Sequence, residues 1–455
     1  MKKCCQLHFF KGKSVVLYFI NHKAAFMNRL PIKELTTWKN SKNRKPLIIQ
    51  GARQVGKTWL MKEFGKQEFQ QVAYFNFESS SRLRDLFTAD FNIQRIITAL
   101  EIEINQKILP ETTLLIFDEI QEAEKGLTSL KYFYEQAPEY YIIAAGSLLG
   151  VSLQKSNSFP VGKVDFMELY PLSFIEFLEN SGEILLSEQL QNERWETISI
   201  FHEKLVELLR LYYFIGGMPE AVADYLNYKD LESVRHIQQK IIIGYENDFA
   251  KHAPNEIVPK IKMVWNSLIS QLAKENRKFI YGQIKKGSRA KEFETAINWL
   301  VDAGLVLKVN RIEKPSLPLS AYIDYDSFKL FLVDIGLVNA IGNLDPKILL
   351  EKNSILTEYK GALTEQFVCQ QLKISTDLYY WSAPNATAEI DFVIQNQNKI
   401  IPIEVKAEEN LKSKSLKVFV EKFQNENAIR TSMSKYRTEN WLTNIPLYAI
   451  NGVIN

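Results

Sequence analysis

Cysteine is scarce in this chain of 455 residues. The three cysteines are Cys4, Cys5 and Cys369, which form neither a disulfide framework nor a four-ligand zinc site. Long apolar stretches are also missing, since no run approaches the ~20 residues that a helix needs to cross a bilayer. The net charge is only +3, so no whole-chain field attracts nucleic acid and any basic surface must be local. These absences favour a protein of the reducing cytoplasm that has no membrane partner.

The first 26 residues differ from the rest of the chain. A basic start and a brief apolar run at 14–20 have the outline of a signal peptide, but no small-residue cleavage site follows. Met27 begins a polar, helix-like segment that leads directly to the first predicted strand. We expect either that residues 1–26 are a dispensable extension or that Met27 is the true start.

The clearest motif is a glycine-rich segment between a short apolar strand at 46–50 and a helix at 57–66. It fits the phosphate-binding pattern G-x-x-x-x-G-K-[ST]. Its glycines let the backbone wrap a polyphosphate, while the loop amides and the helix N-terminus supply positive potential. Lys57 is predicted to reach the β and γ phosphates of ATP, and the Thr58 hydroxyl is predicted to bind Mg²⁺. The predicted nucleotide-binding residues are Gly51, Ala52, Arg53, Gln54, Val55, Gly56, Lys57 and Thr58.

An acidic pair ends the apolar run at 114–117. Four apolar residues in a row are typical of a strand buried on both faces of a parallel sheet. Asp118 is predicted to hold Mg²⁺ together with Thr58, and Glu119 to act as the general base that polarises the attacking water. An ordinary strand that ends in a solvated turn has the same pattern, so the assignment depends on the phosphate loop.

Strands and helices alternate from Met27 to about residue 170, which predicts a parallel sheet. The strand predicted at 140–146 ends at Ser147, whose hydroxyl we expect beside the γ-phosphate, where it could orient the attacking water. A simple strand-end cap is the alternative for Ser147. The predicted strands are 46–50, 72–77, 114–118, 140–146 and 164–169, and the predicted helices are 57–66, 92–106 and 127–137.

The loop at Gly51, the acidic pair at Asp118 and Glu119, and Ala-Gly-Ser at 145–147 resemble the AAA+ ATPases. Four longer motifs are Gly-Ala-Arg-Gln-Val-Gly-Lys-Thr (51–58), Phe-Asp-Glu-Ile-Gln (117–121), Leu-Tyr-Pro-Leu-Ser-Phe-Ile-Glu-Phe (169–177) and Gly-Gly-Met-Pro-Glu-Ala-Val (216–222). They resemble, more narrowly, a bacterial and archaeal branch whose members join an AAA+ core to a largely uncharacterised C-terminal region.

The resemblance implies an open sheet with Ser147 in the sensor role, and it reveals no obvious arginine finger supplied in trans. Lys163 could contact phosphate, although a solvated loop lysine is the alternative.

Helical periodicity dominates residues 171–253, which we interpret as a lid over the nucleotide. The mixed charges at 245–252 could face the nucleotide or a neighbouring domain, but they favour a solvated helix end. Residues 254–349 then read as helix, helix, recognition-type helix and strand, the order of a winged helix, with Ser288 as an N-cap. A basic cluster lies where such a domain meets DNA phosphates, although a basic turn facing water or a protein-contact module has the same sequence. The candidate DNA-binding residues are Lys285, Lys286, Arg289 and Lys291.

The last segment, 350–455, contains a predicted hairpin that resembles the PD-(D/E)xK nucleases, whose core reads Asp, a spacer and then Glu-x-Lys. Asp391 and Glu404 lie 13 positions apart, and Lys406 shares one strand face with Glu404. The resemblance implies that the two carboxylates share a metal ion, with Glu365 approaching from a helix and Lys406 activating a water. A surface hairpin whose charges pair with each other is the alternative.

The predicted fold class is α/β: a phosphate-loop core with a parallel sheet and a helical lid, then a winged helix and a nuclease-like α/β domain. The predicted function is ATP hydrolysis with Mg²⁺, coupled to binding of DNA or a protein partner. The alternatives are an ATP-gated, metal-dependent endonuclease and a non-catalytic nucleotide switch. The predicted units are 1–26, 27–170, 171–253, 254–349 and 350–455.

Overall fold

The computed structural model describes residues 27–147, 149–151, 162–273, 278–287, 289–346, 357–384, 387–407 and 412–454. The N-terminal extension, residues 1–26, and the N-cap predicted at Ser288 lie outside these residues. Among the residues described, no helix combines the length and apolar character that spanning a bilayer requires.

The first half of the chain alternates strands and helices, as predicted. The elements in chain order are α1 (Pro31–Lys39), β1 (Leu47–Gln50), α2 (Lys57–Glu68), β2 (Gln71–Asn76), α3 (Ser81–Arg84), α4 (Ile93–Ile104), β3 (Thr113–Asp118), α5 (Gly126–Gln136), β4 (Tyr141–Ala145) and β5 (Asp165–Glu168).

These five strands form one sheet in the order β2-β3-β4-β1-β5, and every adjacent pair is parallel. Every residue of β3 is buried, as expected for a central strand covered on both faces. Because β4 lies between β1 and β3, the loop after β1 faces the acidic end of β3 across the end of β4. The sheet therefore brings together three segments that are distant in the sequence.

A series of helices follows the sheet: α6 (Phe174–Asn180), α7 (Ile184–Gln191), α8 (Trp195–Ile200), α9 (His202–Ile215), α10 (Pro219–Tyr228) and α11 (Leu231–His252). Ser173 begins α6 with a capping box, in which its hydroxyl accepts from the Glu176 amide and the Glu176 carboxylate accepts from the Ser173 amide. The 22-residue α11 crosses the phosphate loop near its C-terminal end.

The remaining elements are α12 (Val258–Leu272), α13 (Tyr281–Ile284), α14 (Ala290–Asp302), β6 (Val306–Ile312), β7 (Ile323–Leu332), α15 (Ile335–Ile341), α16 (Thr357–Lys373), β8 (Tyr379–Ser382), β9 (Glu389–Asn396), β10 (Lys399–Val405), α17 (Lys414–Phe423), β11 (Ile429–Ser432), β12 (Arg437–Thr438) and β13 (Thr443–Pro446). A mixed eight-stranded sheet contains the strands in the order β12-β13-β11-β10-β9-β8-β6-β7. The α/β class with a parallel core sheet, helices and a C-terminal mixed sheet is confirmed.

The hairpin of β6 and β7 joins this C-terminal sheet, because β6 pairs in parallel with β8. The segments 254–349 and 350–455 therefore share one sheet, which their separate sequence patterns do not reveal.

Three buried glutamines on α16 bind this helix to the end of β7, the start of α6 and the start of α15. Gln366 bonds both the amide and the carbonyl of Leu332 at the end of β7, and Gln371 accepts from the amide of Phe174 at the start of α6. Gln370 accepts from the Ile335 amide and donates to the carboxylate of Asp334. Because each glutamine is at most 2% exposed, these bonds are shielded from competing water.

Candidate functional site: the phosphate loop and its surroundings

The phosphate loop connects β1 to α2 in the conformation that its glycines allow. Gly51 has φ +139°, and a Cβ placed there would lie 2.2 Å from the carbonyl oxygen of Leu169 on the neighbouring segment. Gly56, with φ +93°, is the residue before the first turn of α2. A side chain at Gly51 would both strain the backbone and displace the end of β5, so the tight loop depends on glycine.

Lys57 points back into its own loop. Its ammonium donates to the carbonyl oxygens of Gly51 and Ala52, at 2.8 Å each, and the residue is only 6% exposed. Burial lowers the pKa of Lys57 to about 8, against the opposing influence of the Glu119 and Asp118 charges. A polyphosphate bound in the loop would replace these two carbonyl acceptors with charged oxygens, which bind an ammonium more strongly.

Thr58 and Asp118 meet across the loop. The Thr58 hydroxyl donates to Asp118 Oδ2 at 2.7 Å, and the Tyr74 hydroxyl donates to the same oxygen at 2.9 Å. Burial raises the pKa of Tyr74 to about 12, so the phenol remains a donor. A hydroxyl and a carboxylate at this spacing are the oxygen ligands that Mg²⁺ prefers, so the residues present fit the predicted metal.

Glu119 lies directly beyond the end of β3, in a left-handed conformation with φ +52°. Its carboxylate accepts from the Ser147 hydroxyl at 2.5 Å, from the Ser147 amide at 3.0 Å and from the Gln121 amide group at 2.6 Å. Burial tends to raise the pKa of Glu119, but these hydrogen bonds and the charge of Lys57 hold it below its usual value. The carboxylate is therefore ionised at neutral pH, as a general base must be.

Arg29 holds the loop from behind, and sequence analysis did not identify it. The guanidinium donates to the Val55 carbonyl at 3.0 Å, to the Tyr170 carbonyl at 2.8 Å and to Glu176 at 2.9 Å. Arg29 is only 3% exposed. An arginine in a polar N-terminal segment carries no sequence signal of this role, because all three partners come from elsewhere in the chain.

The end of α11 contacts the phosphate loop, which corrects the prediction of a solvated helix end. Arg53 Nη1 lies 2.6 Å from Asp248 Oδ1, and the Tyr245 hydroxyl donates to the Arg53 carbonyl at 2.8 Å. Tyr245 is 1% exposed and Asp248 is 7% exposed. Tyr245 and Asp248 of this helix end therefore contact the loop. The sequence pattern does not reveal these contacts, because their partner lies about 200 positions earlier in the chain.

The turn between α14 and β6 also lies against the loop. Gly304 has φ +72°, and a Cβ there would lie 2.9 Å from the Ala52 amide nitrogen. The preceding Asp302 carbonyl lies close to Gly150, where a Cβ would approach to 2.2 Å. The segment that carries the predicted recognition helix is therefore in contact with both the phosphate loop and the segment after β4.

Lys163 does not lie at the loop. Its ammonium is 3.0 Å from Glu135 at the end of α5, and it lies over the ring of Tyr134. This ion pair replaces the phosphate contact considered for Lys163.

The predicted DNA-binding residues surround the start of α14. All four are exposed, and Arg289 stands at the N-cap position of α14 without a side-chain capping bond. None of them makes an ion pair with another described residue. The residues are Lys285, Lys286, Arg289 and Lys291.

The C-terminal hairpin places two of its predicted carboxylates side by side. Ile403 pairs with Phe392, so Asp391 and Glu404 are the next opposed residues and share one face. Asp391 accepts from the Val405 amide at 2.8 Å, and Lys406 lies 2.9 Å from Glu404. Burial raises the pKa of Glu404, against the opposing effect of the Lys406 charge.

Glu365 does not complete a three-carboxylate site, which corrects the sequence expectation. The buried ammonium of Lys329 on β7 lies 3.7 Å from Glu365 and 2.5 Å from Glu389. Within the described part of the chain, no group of three or more His, Cys, Asp or Glu side chains is arranged to hold a metal ion. A lysine supplies the positive charge near Glu365, and nothing in the pattern of β7 distinguishes it from a solvent-facing lysine.

These features together define a P-loop nucleotide-binding domain: a parallel sheet, a glycine-rich loop before a helix, a hydroxyl opposite an aspartate, and a glutamate held at the next strand end. Residues 43–178 match the family model described as AAA domain. Residues 206–348 and 360–450 match two further models, each described as a domain of unknown function, DUF8612 and DUF4143. A search of curated proteins found no match.

Solved structures with some similarity include a Walker-type ATPase of Pyrococcus abyssi, with TM-score 0.44 and 14% identity over 70% of this chain and 97% of that chain. The ORC1 protein of Aeropyrum pernix in complex with DNA has TM-score 0.27 and 12% identity over 70% and 91%. The RuvB Holliday junction branch migration motor of Thermotoga maritima has TM-score 0.29 and 13% identity over 65% and 91%. At these TM-scores the likenesses assign no function.

Proposed function

We propose that the chain hydrolyses ATP with Mg²⁺ and couples this reaction to the binding of DNA or a protein partner by its C-terminal regions. The observation that carries the first part is the convergence of Lys57, the Thr58–Asp118 pair and Glu119 at one end of the parallel sheet. Each group has the chemistry that phosphoryl transfer to water requires.

The residues take separate roles. Lys57 and the loop amides bind the phosphates, and Thr58 and Asp118 would hold Mg²⁺, which neutralises charge on the phosphate oxygens. Glu119 accepts a proton from the water whose oxygen attacks the γ-phosphorus. The bond to the β-phosphate oxygen then breaks, and its electron pair leaves with ADP. Ser147, which holds Glu119 through two hydrogen bonds, orients the base.

The coupling proposal is supported by two contacts with the phosphate loop. The end of α11 binds the loop through Arg53, and the α14–β6 turn packs on Ala52 through Gly304. A change in loop conformation on nucleotide binding therefore reaches α14 directly.

A winged helix is the proposed form of the segment around α14. The order α12, α13, α14, β6 and β7 is that of a winged helix, with β6 and β7 as the antiparallel wing. The exposed cluster from Lys285 to Lys291 would contact DNA phosphates, which predicts weak, salt-dependent binding. If this surface instead contacts a protein, the same charges would choose an acidic partner.

An ATP-gated endonuclease is the second candidate, favoured by the adjacent Asp391 and Glu404 with Lys406 beside them. The Lys329–Glu365 contact argues against cleavage, because it places an ammonium beside Glu365, the carboxylate that was predicted to be the third metal ligand. A nuclease-like scaffold used for recognition agrees better with this arrangement.

One assay tests these proposals together. The purified full chain is incubated with ATP, Mg²⁺ or Mn²⁺ and supercoiled plasmid, and phosphate release and nicking are recorded in parallel. Phosphate release that requires the metal supports the ATPase, whereas nicking that requires ATP and Mn²⁺ would favour the endonuclease. Absence of phosphate release under every condition would contradict the proposed function.

A further inference from the structure

Among the described residues, Arg53 is the phosphate-loop residue whose side chain forms a charge pair with another part of the fold. We propose that Arg53 senses the γ-phosphate of ATP: its guanidinium exchanges Asp248 on α11 for the γ-phosphate, so that ATP, unlike ADP, breaks the ion pair between the loop and α11. This inference rests on the proposed ATPase function and deepens it by naming how the bound nucleotide is recognised.

The ion pair is close, and its geometry permits exchange. Arg53 Nη1 is 2.6 Å from Asp248 Oδ1, but the Arg53 side chain remains 38% exposed while that of Asp248 is 10% exposed. The Tyr245 hydroxyl holds the Arg53 carbonyl, so the backbone of this residue is fixed while its guanidinium can turn. A guanidinium carries five N–H donors, and among the described residues Asp248 is the acceptor recorded for its side chain.

Arg53 and the proposed general base face the same small cavity. Its lining includes Arg53 and His252 together with three glutamates, Glu78, Glu119 and Glu122. A group that is attacked by the water that Glu119 activates would therefore lie close to the Arg53 side chain. In the proposed reaction that group is the γ-phosphate, which ADP lacks.

An anion bound between Arg53 and Lys57 would relieve the repulsion between these two cations. The guanidinium is near enough to oppose the charge of Lys57, and this repulsion contributes to the lowered pKa of that lysine. In the structure, the Lys57 ammonium donates to two loop carbonyls and the Arg53 guanidinium donates to Asp248. A phosphate is a stronger partner than a single carboxylate oxygen for a guanidinium, because it offers several charged oxygens to a planar fork of donors.

Exchange of this partner has a path to the rest of the chain. The α11 helix packs against α12 and α15, and α12 packs in turn against α14. Loss of the ion pair therefore loosens the C-terminal end of α11, which stays bonded to the loop through Tyr245 and leads into α12. No arginine from a second molecule is required for this step.

Binding measurements separate this role from simple structural support. Affinities for ATP and ADP are measured by calorimetry with Mg²⁺ on the full chain, in a Glu119→Gln background that prevents turnover. Arg53→Ala should weaken ATP binding by about 10- to 100-fold, the range for one lost charge-assisted contact, while ADP binding changes less than about threefold. Arg53→Lys should recover part of the ATP preference, because it retains the charge but not the fork.

Asp248→Asn provides the opposite test. Removing the competing carboxylate should strengthen ATP binding several-fold and leave ADP binding unchanged. Lys240→Ala is the matched control on the same helix, since Lys240 is exposed and does not line this cavity. Hydrogen exchange gives a readout independent of affinity: amides at 245–252 should exchange faster with ATP than with ADP, and Arg53→Ala should remove this difference.

An unchanged ratio of ATP affinity to ADP affinity in Arg53→Ala, with ATP binding still dependent on Lys57, would overturn the inference. The ATPase proposal would remain. Weaker ATP binding in Asp248→Asn would also overturn it. A parent protein that binds neither nucleotide would overturn both.

Discussion

The hydroxyl of Thr58 lies 2.7 Å from Oδ2 of Asp118, so the first turn of α2 is hydrogen-bonded to the end of β3. These residues are 60 positions apart, and β4 lies between β1, the strand before the loop, and β3. The contact shows that the loop and the acidic strand form one site, which is the arrangement needed to share a metal ion between phosphate and protein.

Lys57→Ala should abolish ATP binding. The ammonium is the cation that the motif directs to both the β and the γ phosphate, and loop amides alone bind polyphosphate weakly. Calorimetry with ATP and Mg²⁺ measures the effect, and Lys66→Ala on the exposed side of α2 is the control. Retained micromolar binding in Lys57→Ala would mean that the loop does not bind phosphates as proposed.

Charge reversal at the α14 cluster should remove DNA binding. Replacing Lys285, Lys286, Arg289 and Lys291 with Glu removes cations that would displace counterions, so the dependence of affinity on salt should become shallower. Fluorescence anisotropy over a salt series with a short duplex gives both quantities. The control reverses an equal number of exposed lysines on the ATPase domain: Lys33, Lys42, Lys66 and Lys125. Equal binding by both variants would indicate a protein-contact role for the cluster.

Lys329→Met should destabilise the C-terminal sheet by about 3 kcal/mol, because it removes the ammonium that lies beside both the buried Glu365 and Glu389. Adding Glu365→Gln should recover part of this loss, since one of the two carboxylate charges beside position 329 disappears. Urea unfolding of the single and double variants measures both effects. A double variant that is less stable than Lys329→Met alone would show that Glu365 is held mainly by other partners.

Asp334 should make stability depend on pH in the acid range. It is fully buried at the start of α15 and accepts from the amides of Gly217 and Leu337. Burial raises its pKa from 3.8 to about 6, despite these bonds. A raised carboxyl pKa means that the folded state binds the proton more tightly, so this contribution is present below pH 4 and is lost as the pH rises to 6.

The difference in unfolding free energy between the parent and Asp334→Asn isolates this effect. The parent's advantage should fall by about 3 kcal/mol between about pH 3 and pH 7, the equivalent of the shift from 3.8 to about 6. A difference that stays constant over this range would show that Asp334 titrates normally.

Sequence patterns predicted the ATPase core well because its signals are local. The apolar run before Asp118 and the glycine spacing from Gly51 to Gly56 each determine their own strand or turn, and the strands formed within one or two residues of the predicted ends. The fold class followed from the alternation of strands and helices. The family match over 43–178 agrees with the resemblance carried by the same motifs.

The missed features are all contacts between distant segments. Arg53 and Asp248 are 195 positions apart, and Arg29 and Glu176 are 147 apart. The periodicity of a single sequence indicates which face of a helix or strand is apolar, but it does not indicate which residues that face contacts. The same limit explains Glu365, whose helix was identified although its partner Lys329 was not.

In the proposed reaction, Glu119 activates water for attack on ATP bound at Lys57. Glu119→Gln keeps the shape: its carbonyl oxygen can accept from the Ser147 amide and its NH2 group can donate to the Ser147 hydroxyl. It cannot accept the proton, so binding and turnover should separate. Calorimetry and phosphate release are measured on the same preparation with ATP and Mg²⁺, with Glu124→Gln, an exposed neighbour, as the control. Glu119→Gln alone should keep the parental ATP affinity while its phosphate release falls at least about 100-fold. Phosphate release at the parental rate in Glu119→Gln would contradict the role of Glu119 as general base.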